Sequence, residues 1–263
     1  MPTDLVTRFC TPPELPITDT DARALASSKP FSIDFEGGEI QCYAWGDGPN
    51  VVLPHGWGSR ASHMALVARH LASRGFRSVS YDAPAHSSVE DRAGATSNMF
   101  EHCRALSAVA AAVGEVYAVV GHSMGGAAAA FTVAGSERLA EYRFSASKLV
   151  LLSAPASVDS VIRAFANRNK LNLTERVFLR SGLEADFEMS VEFFSVGAAL
   201  RSLDGVDVMM VHDRSDEEFP IDDALATCRD AGPLQLFLTD GLGHARSLTS
   251  RVVMREIDRF LSR

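Results

Sequence analysis

The pattern of Val116-Tyr-Ala-Val-Val-Gly-His-Ser-Met-Gly-Gly126 predicts a strand joined to a helix through a very short turn. Its first five residues form an apolar run typical of a buried strand, and the alanines of Ala127–Ala130 follow as a strong helix start. So sharp a reversal strains the backbone of the residue at the tip, Ser123, and a glycine two positions to either side avoids clashes with the strand and the helix. The stretch therefore predicts a turn that pushes the hydroxyl of Ser123 out towards solvent. The alternative is a glycine-rich strand–helix turn in which the serine has no catalytic role.

The other apolar runs are spaced as in a parallel sheet. Strand patterns cover residues 31–35, 39–45, 51–53, 76–81, 116–120, 148–152, 206–211 and 234–238, and helical patterns cover 62–73, 97–113, 124–134, 221–228 and 247–261. Because strands and helices alternate, we predict an α/β fold with about eight strands in a mostly parallel sheet flanked by helices.

Two segments fall outside this alternation. Residues 1–28 are polar, contain prolines and show no period, so we expect an N-terminal extension that packs over the domain or stays loose. Residues 156–205 carry charged and aromatic side chains, and we expect a helical cap there, inserted between the sixth and seventh strands. The core then comprises residues 29–155 and 206–263, and a chain of 263 residues is compatible with one such domain.

A serine hydroxyl is a poor nucleophile at neutral pH, so it needs a base within hydrogen-bond reach and a carboxylate that orients the base. Of the eight histidines, His244 fits best because it follows the last predicted strand in the loop Thr239-Asp-Gly-Leu-Gly-His. The glycines at 241 and 243 allow that loop to bend back over the strand ends. His122 is expected to point elsewhere. The alternative for His244 is a surface histidine that caps the final helix.

The orienting carboxylate should follow a late strand and precede a helix, which places it between Val211 and Pro220. Two aspartates are available there. Asp213 is nearer the strand, whereas Asp216 lies further into the turn. Position in the sequence leaves both open.

Five blocks in the expected order resemble the α/β-hydrolase superfamily, and the likeness extends from about residue 31 to the C-terminus. They are His55-Gly-Trp-Gly, Asp82-Ala-Pro-Ala-His-Ser-Ser, Gly121-His-Ser-Met-Gly-Gly, Val211–Pro220 and Gly243-His244. The resemblance implies that Ser123, Asp216 and His244 form a catalytic triad. Alignment on the superfamily pattern H-G-x-x-D-x-x-x-P selects Asp216 as the acid and leaves Asp213 at the usual glycine position.

Two further implications follow from the resemblance. The first block is similar to the oxyanion loop of small esterases, so the backbone N–H groups of Trp57 and Met124 are expected to form the oxyanion hole. The second block departs from the common form D-x-P-G-H-G-x-S, because Ala85 and Ser87 replace the two glycines. Asp82 and His86 are interpreted as structural turn residues.

The resemblance implies a serine hydrolase that cleaves a small carboxylic ester, or a related acyl compound, through an acyl-enzyme intermediate without a cofactor. Two alternatives remain. The same triad could transfer the acyl group to a bound alcohol, or the fold could serve as a small-molecule-binding module without turnover.

The composition excludes several other classes. A net charge of −8, from 33 acidic and 25 basic side chains without a basic cluster, argues against nucleic acid. No apolar stretch approaches the roughly 18 residues that cross a bilayer, and the start lacks a secretory signal pattern, so we expect a soluble cytoplasmic protein. The four cysteines and the histidines show no metal-binding spacing, so no metal site is expected. The oligomeric state is not predicted.

Overall fold

The computed structural model describes residues 2–86 and 95–263. Within these residues, eight strands form one sheet in the order β1-β2-β4-β3-β5-β6-β7-β8. The strands are β1 (Lys29–Phe35), β2 (Gly38–Trp45), β3 (Asn50–Leu53), β4 (Arg77–Tyr81), β5 (Val116–His122), β6 (Ala146–Leu152), β7 (Asp207–Asp213) and β8 (Gln235–Thr239). β2 is antiparallel to β1 and to β4, and the remaining neighbours are parallel. The predicted fold class is confirmed.

Helices cover both faces of the sheet. In the described part of the chain they are α1 (Pro2–Cys10), α2 (Asp19–Leu25), α3 (Ala61–Ser73), α4 (Met99–Val113), α5 (Met124–Ala134), α6 (Val158–Arg168), α7 (Leu173–Asp186), α8 (Val196–Arg201), α9 (Ile221–Ala231) and α10 (Arg251–Leu261), with short 3₁₀ turns at Glu137–Tyr142, Val191–Phe193 and Arg246–Thr249. None of the helices in residues 2–86 and 95–263 is both long and apolar enough to cross a bilayer.

Two helices, α4 and α10, begin later in the chain than their apolar period predicts, because a side chain caps each of them. The pattern from residue 97 begins as a helix only at α4, because the Asn98 side chain accepts a hydrogen bond from the Glu101 N–H at 3.1 Å. The pattern from residue 247 begins with a 3₁₀ turn, and α10 starts after Ser250, whose hydroxyl accepts from the Val253 N–H. Hydrophobic period alone does not locate such caps.

Alternate residues of each central strand enter two different cores. Val51 and Leu53 pack with α3 and α10 on one face, whereas Val52 packs with α4 and α5 on the other. Strands buried on both faces need apolar residues at nearly every position, which explains the unbroken apolar runs in the sequence. Because β5, β6, β7 and β8 run parallel, their carboxyl ends meet at one edge of the sheet.

The N-terminal extension contains two helices that the sequence analysis did not predict. α1 packs on α7 and α2 packs on α3. Val6 and Cys10, four residues apart on one face of α1, enter a third apolar cluster with Leu179 of α7. Because α1 is short and a segment with prolines follows it, the spacing of its apolar residues does not stand out in the sequence.

The inserted segment, residues 156–205, contributes to two layers. Its helices α6 and α7 share the third apolar cluster with α1, whereas α8 packs against α5 and α9. The assignment of this whole segment as a cap therefore stays a prediction, with α6 and α7 as the part whose fully buried apolar side chains lie in the third cluster.

Candidate active site

The turn between β5 and α5 holds Ser123 with φ 51° and ψ −122°, in the left-handed half of backbone space that side-chain-bearing residues avoid. A Cβ at Gly121 would lie 2.6 Å from the carbonyl oxygen of Gly125, and a Cβ at Gly125 would overlap the carbonyl oxygen of Pro54. The predicted need for glycine at both positions is confirmed. The serine is less exposed than predicted, because only 7% of the residue is accessible and it lines a partly open pocket.

The hydroxyl of Ser123 lies in a continuous hydrogen-bonded chain. It donates to Nε2 of His244 at 3.0 Å, and Nδ1 of His244 donates to Oδ2 of Asp216 at 2.9 Å. Oδ1 of Asp216 accepts from the backbone N–H groups of Glu218 and Phe219 at 2.9 and 3.0 Å. Burial raises the pKa of Asp216, but the hydrogen bonds from His244 and the two backbone groups outweigh it, so the net pKa is lowered and the carboxylate stays ionised.

Asp213, the other candidate acid, has a different set of partners. Its Oδ1 accepts from the Ser215 N–H, the Ser215 hydroxyl and the Gly243 N–H, and its Oδ2 accepts from the Thr239 hydroxyl and the Leu242 N–H, all within 3.0 Å. These bonds outweigh burial and hold the pKa of Asp213 well below its usual range. The structure thus brings Asp216 to His244, whereas Asp213 ties the loop after β7 to the loop that carries His244.

His122 bonds to the loop that carries His244 and not to Ser123. Its Nε2 lies 3.1 Å from the carbonyl oxygen of His244, and the two rings lie 5.1 Å apart between centroids. Because a carbonyl only accepts, Nε2 of His122 carries the proton. Burial, with a smaller repulsion from His244, lowers the pKa of His122 to about 4, so this donor is neutral at pH 7.

The loop after β3 lies directly over the serine. A Cβ at Gly56 would come within 2.9 Å of the Cβ of Ser123, which brings the next residue, Trp57, to the edge of the cavity. Met124 is the first residue of α5, so its N–H is free of an intrahelical acceptor and lies at the positive end of the helix dipole. Both predicted oxyanion residues therefore lie beside Ser123, and their catalytic role remains a proposal.

His55 supports this loop, a role that its sequence block did not reveal. Its Nδ1 donates to the carbonyl of Gly56 at 2.7 Å, and its Nε2 accepts from the Ala83 N–H at 3.0 Å. Both bonds require the neutral ring, and burial holds the pKa of His55 well below its usual value. The loop after β3 is thereby fixed to the start of the block that begins with Asp82.

The Asp82 block keeps its turn without the usual glycine. Ala85 takes φ 61°, a left-handed conformation that favours glycine. Asp82 accepts from the Ala61 N–H at the start of α3, and Nδ1 of His86 donates to the carbonyl of Pro84. Ser87 and Ser88, which end the block, lie outside the described residues.

A cavity of about 290 Å³ opens from Ser123. Aromatic and aliphatic side chains of α4, of the inserted segment and of the loop after β7 form much of its wall, among them Met99, Phe100, Phe165, Phe194 and Phe219. Five further residues of the wall come from the N-terminal extension, to which the sequence analysis assigned no function: Arg8, Phe9, Cys10, Thr11 and Pro13.

A strand–serine–helix turn at the carboxyl edge of a mostly parallel eight-stranded sheet defines the chain as a protein of the α/β-hydrolase type. The sequence matches the profile of the Alpha/beta hydrolase family over residues 51–261. The chain belongs to that family.

Solved structures with a similar fold include enzymes named for acyl hydrolysis. One is the thioesterase domain from the curacin biosynthetic pathway, at 16% identity and a TM-score of 0.62, with 90% of this chain and 99% of that chain covered. A second is Est1E from Butyrivibrio proteoclasticus with bound ferulic acid, at 17% identity and 0.65, covering 88% and 98%. A third is an esterase from Exiguobacterium antarcticum, at 15% and 0.59, covering 86% and 96%. Identities this low show the fold alone. A search of curated protein sequences finds no match.

Proposed function

We propose that this α/β hydrolase is a serine esterase that cleaves a carboxylic ester of an apolar acid through an acyl-enzyme intermediate. The observation that carries the proposal is the hydrogen-bonded chain from Ser123 through His244 to Asp216 at the end of an apolar cavity. The esterases among the proteins of similar fold support the choice of an ester as substrate.

In the first half of the reaction, Oγ of Ser123 attacks the ester carbonyl carbon while Nε2 of His244 takes the hydroxyl proton. Asp216 holds Nδ1–H of the ring and stabilises the imidazolium that forms. The tetrahedral oxyanion accepts hydrogen bonds from the backbone N–H groups of Trp57 and Met124. One such donor in a water-poor site contributes on the order of 3 kcal/mol to transition-state stabilisation.

Collapse of this intermediate breaks the bond to the alcohol oxygen, and Nε2 of His244 returns the proton to the departing alcohol. A water molecule then attacks the acyl carbon of the Ser123 ester, with His244 again as the base. The carboxylic acid is released and the serine hydroxyl is regenerated. Each step uses groups that this chain supplies itself.

The test is covalent labelling with a fluorophosphonate probe, which reacts with activated serines. Ser153 offers a matched control, because it also has a positive φ, of 50°, is also buried, and also follows the end of a parallel strand next to β5. We expect labelling of the unchanged protein and of Ser153→Ala, and none of Ser123→Ala. Equal labelling of all three would exclude Ser123 as the nucleophile.

A further inference from the structure

We propose that the N-terminal extension forms the outer wall of the acyl-binding pocket and sets the length of the acyl chain that the pocket accepts. This inference rests on the proposed esterase function and names its substrate class as esters of apolar acids with about ten non-hydrogen atoms.

The position of α1 is the first support. Phe9 and Cys10 line the cavity from the side of the N-terminal extension, while Phe165 and Leu183 of the inserted segment line it as well. The rings of Phe9 and Phe165 meet edge to face with centroids 5.3 Å apart, which joins the two parts of the wall. An apolar group that fills the cavity from Ser123 would therefore contact the extension.

Apolar packing and hydrogen bonds hold the N-terminal extension in place at several points. Val6 and Cys10 are buried in the third apolar cluster. The Ser97 N–H donates to the carbonyl of Cys10 at 2.7 Å, so the end of α1 is tied to the segment before α4. Further along, the carboxylate of Asp21 accepts from the hydroxyl of Ser62 in α3 at 2.5 Å.

Two glycines make room for the extension. A Cβ at Gly182 in α7 would lie 2.6 Å from Cγ2 of Val6, so the absence of a side chain there lets α1 approach α7 closely. At the other end, a Cβ at Gly58 would lie 2.5 Å from Cγ of Pro13. Gly58 has φ 61° and follows Trp57, so the extension contacts the oxyanion loop itself. The fit at both ends indicates a fixed wall of the pocket.

The volume sets the size of the substrate. At roughly 30 Å³ for each water-sized group, a cavity of about 290 Å³ holds about ten non-hydrogen atoms. Burial of one methylene gains roughly 0.8 kcal/mol, which is about a fourfold gain in binding. We therefore expect kcat/KM for 4-nitrophenyl esters to rise at least 100-fold from acetate to octanoate and to fall for chains beyond about twelve carbons.

Two substitutions should shift this profile in opposite directions. Cys10→Phe adds a ring inside the wall and should move the optimum to shorter acids, with the octanoate-to-acetate ratio of kcat/KM lowered at least tenfold. Phe9→Ala removes a ring and should move the optimum to longer acids. Phe178→Ala, at an exposed phenylalanine of α7 that does not line the cavity, is the matched control and should keep the original profile.

Fluorophosphonate labelling of each variant separates this inference from the proposed function. If the wild-type protein neither reacts with the probe nor hydrolyses 4-nitrophenyl acetate, the proposed esterase function is refuted. If the probe labels the protein, but Cys10→Phe and Phe9→Ala both retain the original acyl-length profile, the N-terminal wall is refuted. The N-terminal wall is also refuted if the variants change the preference for the alcohol portion of acetyl esters and leave the acyl-length profile unchanged. General misfolding cannot produce opposite shifts.

Discussion

Replacing Asp213 by asparagine should loosen the loop that carries His244, while Ser123, His244 and Asp216 themselves stay chemically unchanged. The two oxygens of Asp213 accept from five donors, two of which are the backbone N–H groups of Leu242 and Gly243. Asparagine has the same shape but presents an NH₂ group in place of one oxygen. With the amide nitrogen at the Oδ2 position, a donor faces the Leu242 N–H.

The magnitude follows from these bonds. A buried N–H without an acceptor costs about 1–3 kcal/mol, and bonds to a charged group are stronger than neutral bonds by about 1 kcal/mol. Since Asp213 is only 1% exposed, water cannot readily replace the lost acceptor. We expect Asp213→Asn to lower the free energy of unfolding by about 3 kcal/mol. A loosened histidine loop should lower kcat by about 10-fold to 100-fold, because orientation of the base is disturbed and its chemistry is retained.

The comparison variant is Asp216→Asn. Its Oδ1 can keep the two backbone bonds, so stability should change by less than about 1 kcal/mol. The amide cannot accept from Nδ1–H of His244, which leaves the ring in the wrong tautomer, and kcat should fall on the order of 10⁴-fold. Urea unfolding followed by circular dichroism, together with kcat for 4-nitrophenyl octanoate, measures both quantities for both variants.

The expected pattern is therefore crossed. Asp213→Asn should affect mainly stability, and Asp216→Asn should affect mainly rate. The opposite pattern, with the larger loss of rate in Asp213→Asn, would show that Asp213 is the acid in solution and would refute the assignment drawn from the hydrogen bonds.

Two further predictions concern pH. Burial holds four histidines neutral in the folded state. It lowers the pKa of His86 and His122 to about 4 and holds the pKa of His55 and His102 well below the usual value. Below pH 6.5 the unfolded chain binds protons that the folded chain does not, so stability is full above pH 6.5 and falls as pH drops. At roughly 1.4 kcal/mol per group and pH unit, the loss between pH 7.5 and 5.5 is about 5 kcal/mol, and equal urea midpoints at both pH values would contradict it. Burial also raises the pKa of Asp82 to about 6, so its ionised form costs stability as pH rises from about 4 to 6. Asp82→Asn, which keeps an acceptor for the Ala61 N–H, should gain about 3 kcal/mol over the wild-type protein at pH 8 and nothing below pH 4. No gain at pH 8 in urea unfolding would refute this account.

The sheet and the position of the serine could be predicted because the information is local. The apolar run of β5, the two glycines and the alanines of α5 lie within fifteen residues of sequence, and each has one simple structural cause. The loop of His244 follows from the same rule of parallel strands, whose carboxyl ends meet at one edge. Five ordered blocks then gave the family.

Other features depend on contacts between residues distant in the sequence. Asp213 and Asp216 are three residues apart, and only the fold of the loop after β7 decides which carboxylate meets His244. The bond from His122 to the His244 carbonyl spans 121 intervening residues. The burial of Ser123 involves residues far from it in the sequence, since Gly56 lies over its side chain and His244 accepts its hydrogen bond. The short helix α1 has apolar residues four apart, but nothing in its own sequence indicates that it completes a cavity beside β5.

The most direct test of the central claim is to trap the acyl-enzyme. The protein is mixed with 4-nitrophenyl octanoate, quenched in acid within milliseconds, digested, and analysed by mass spectrometry. We expect an octanoyl group on the peptide that contains Ser123, and in His244→Ala we expect its rate of formation to fall at least about 10⁴-fold. An octanoyl group on a different residue, or undiminished acylation without His244, would contradict the claim that Ser123 is a nucleophile activated by that imidazole.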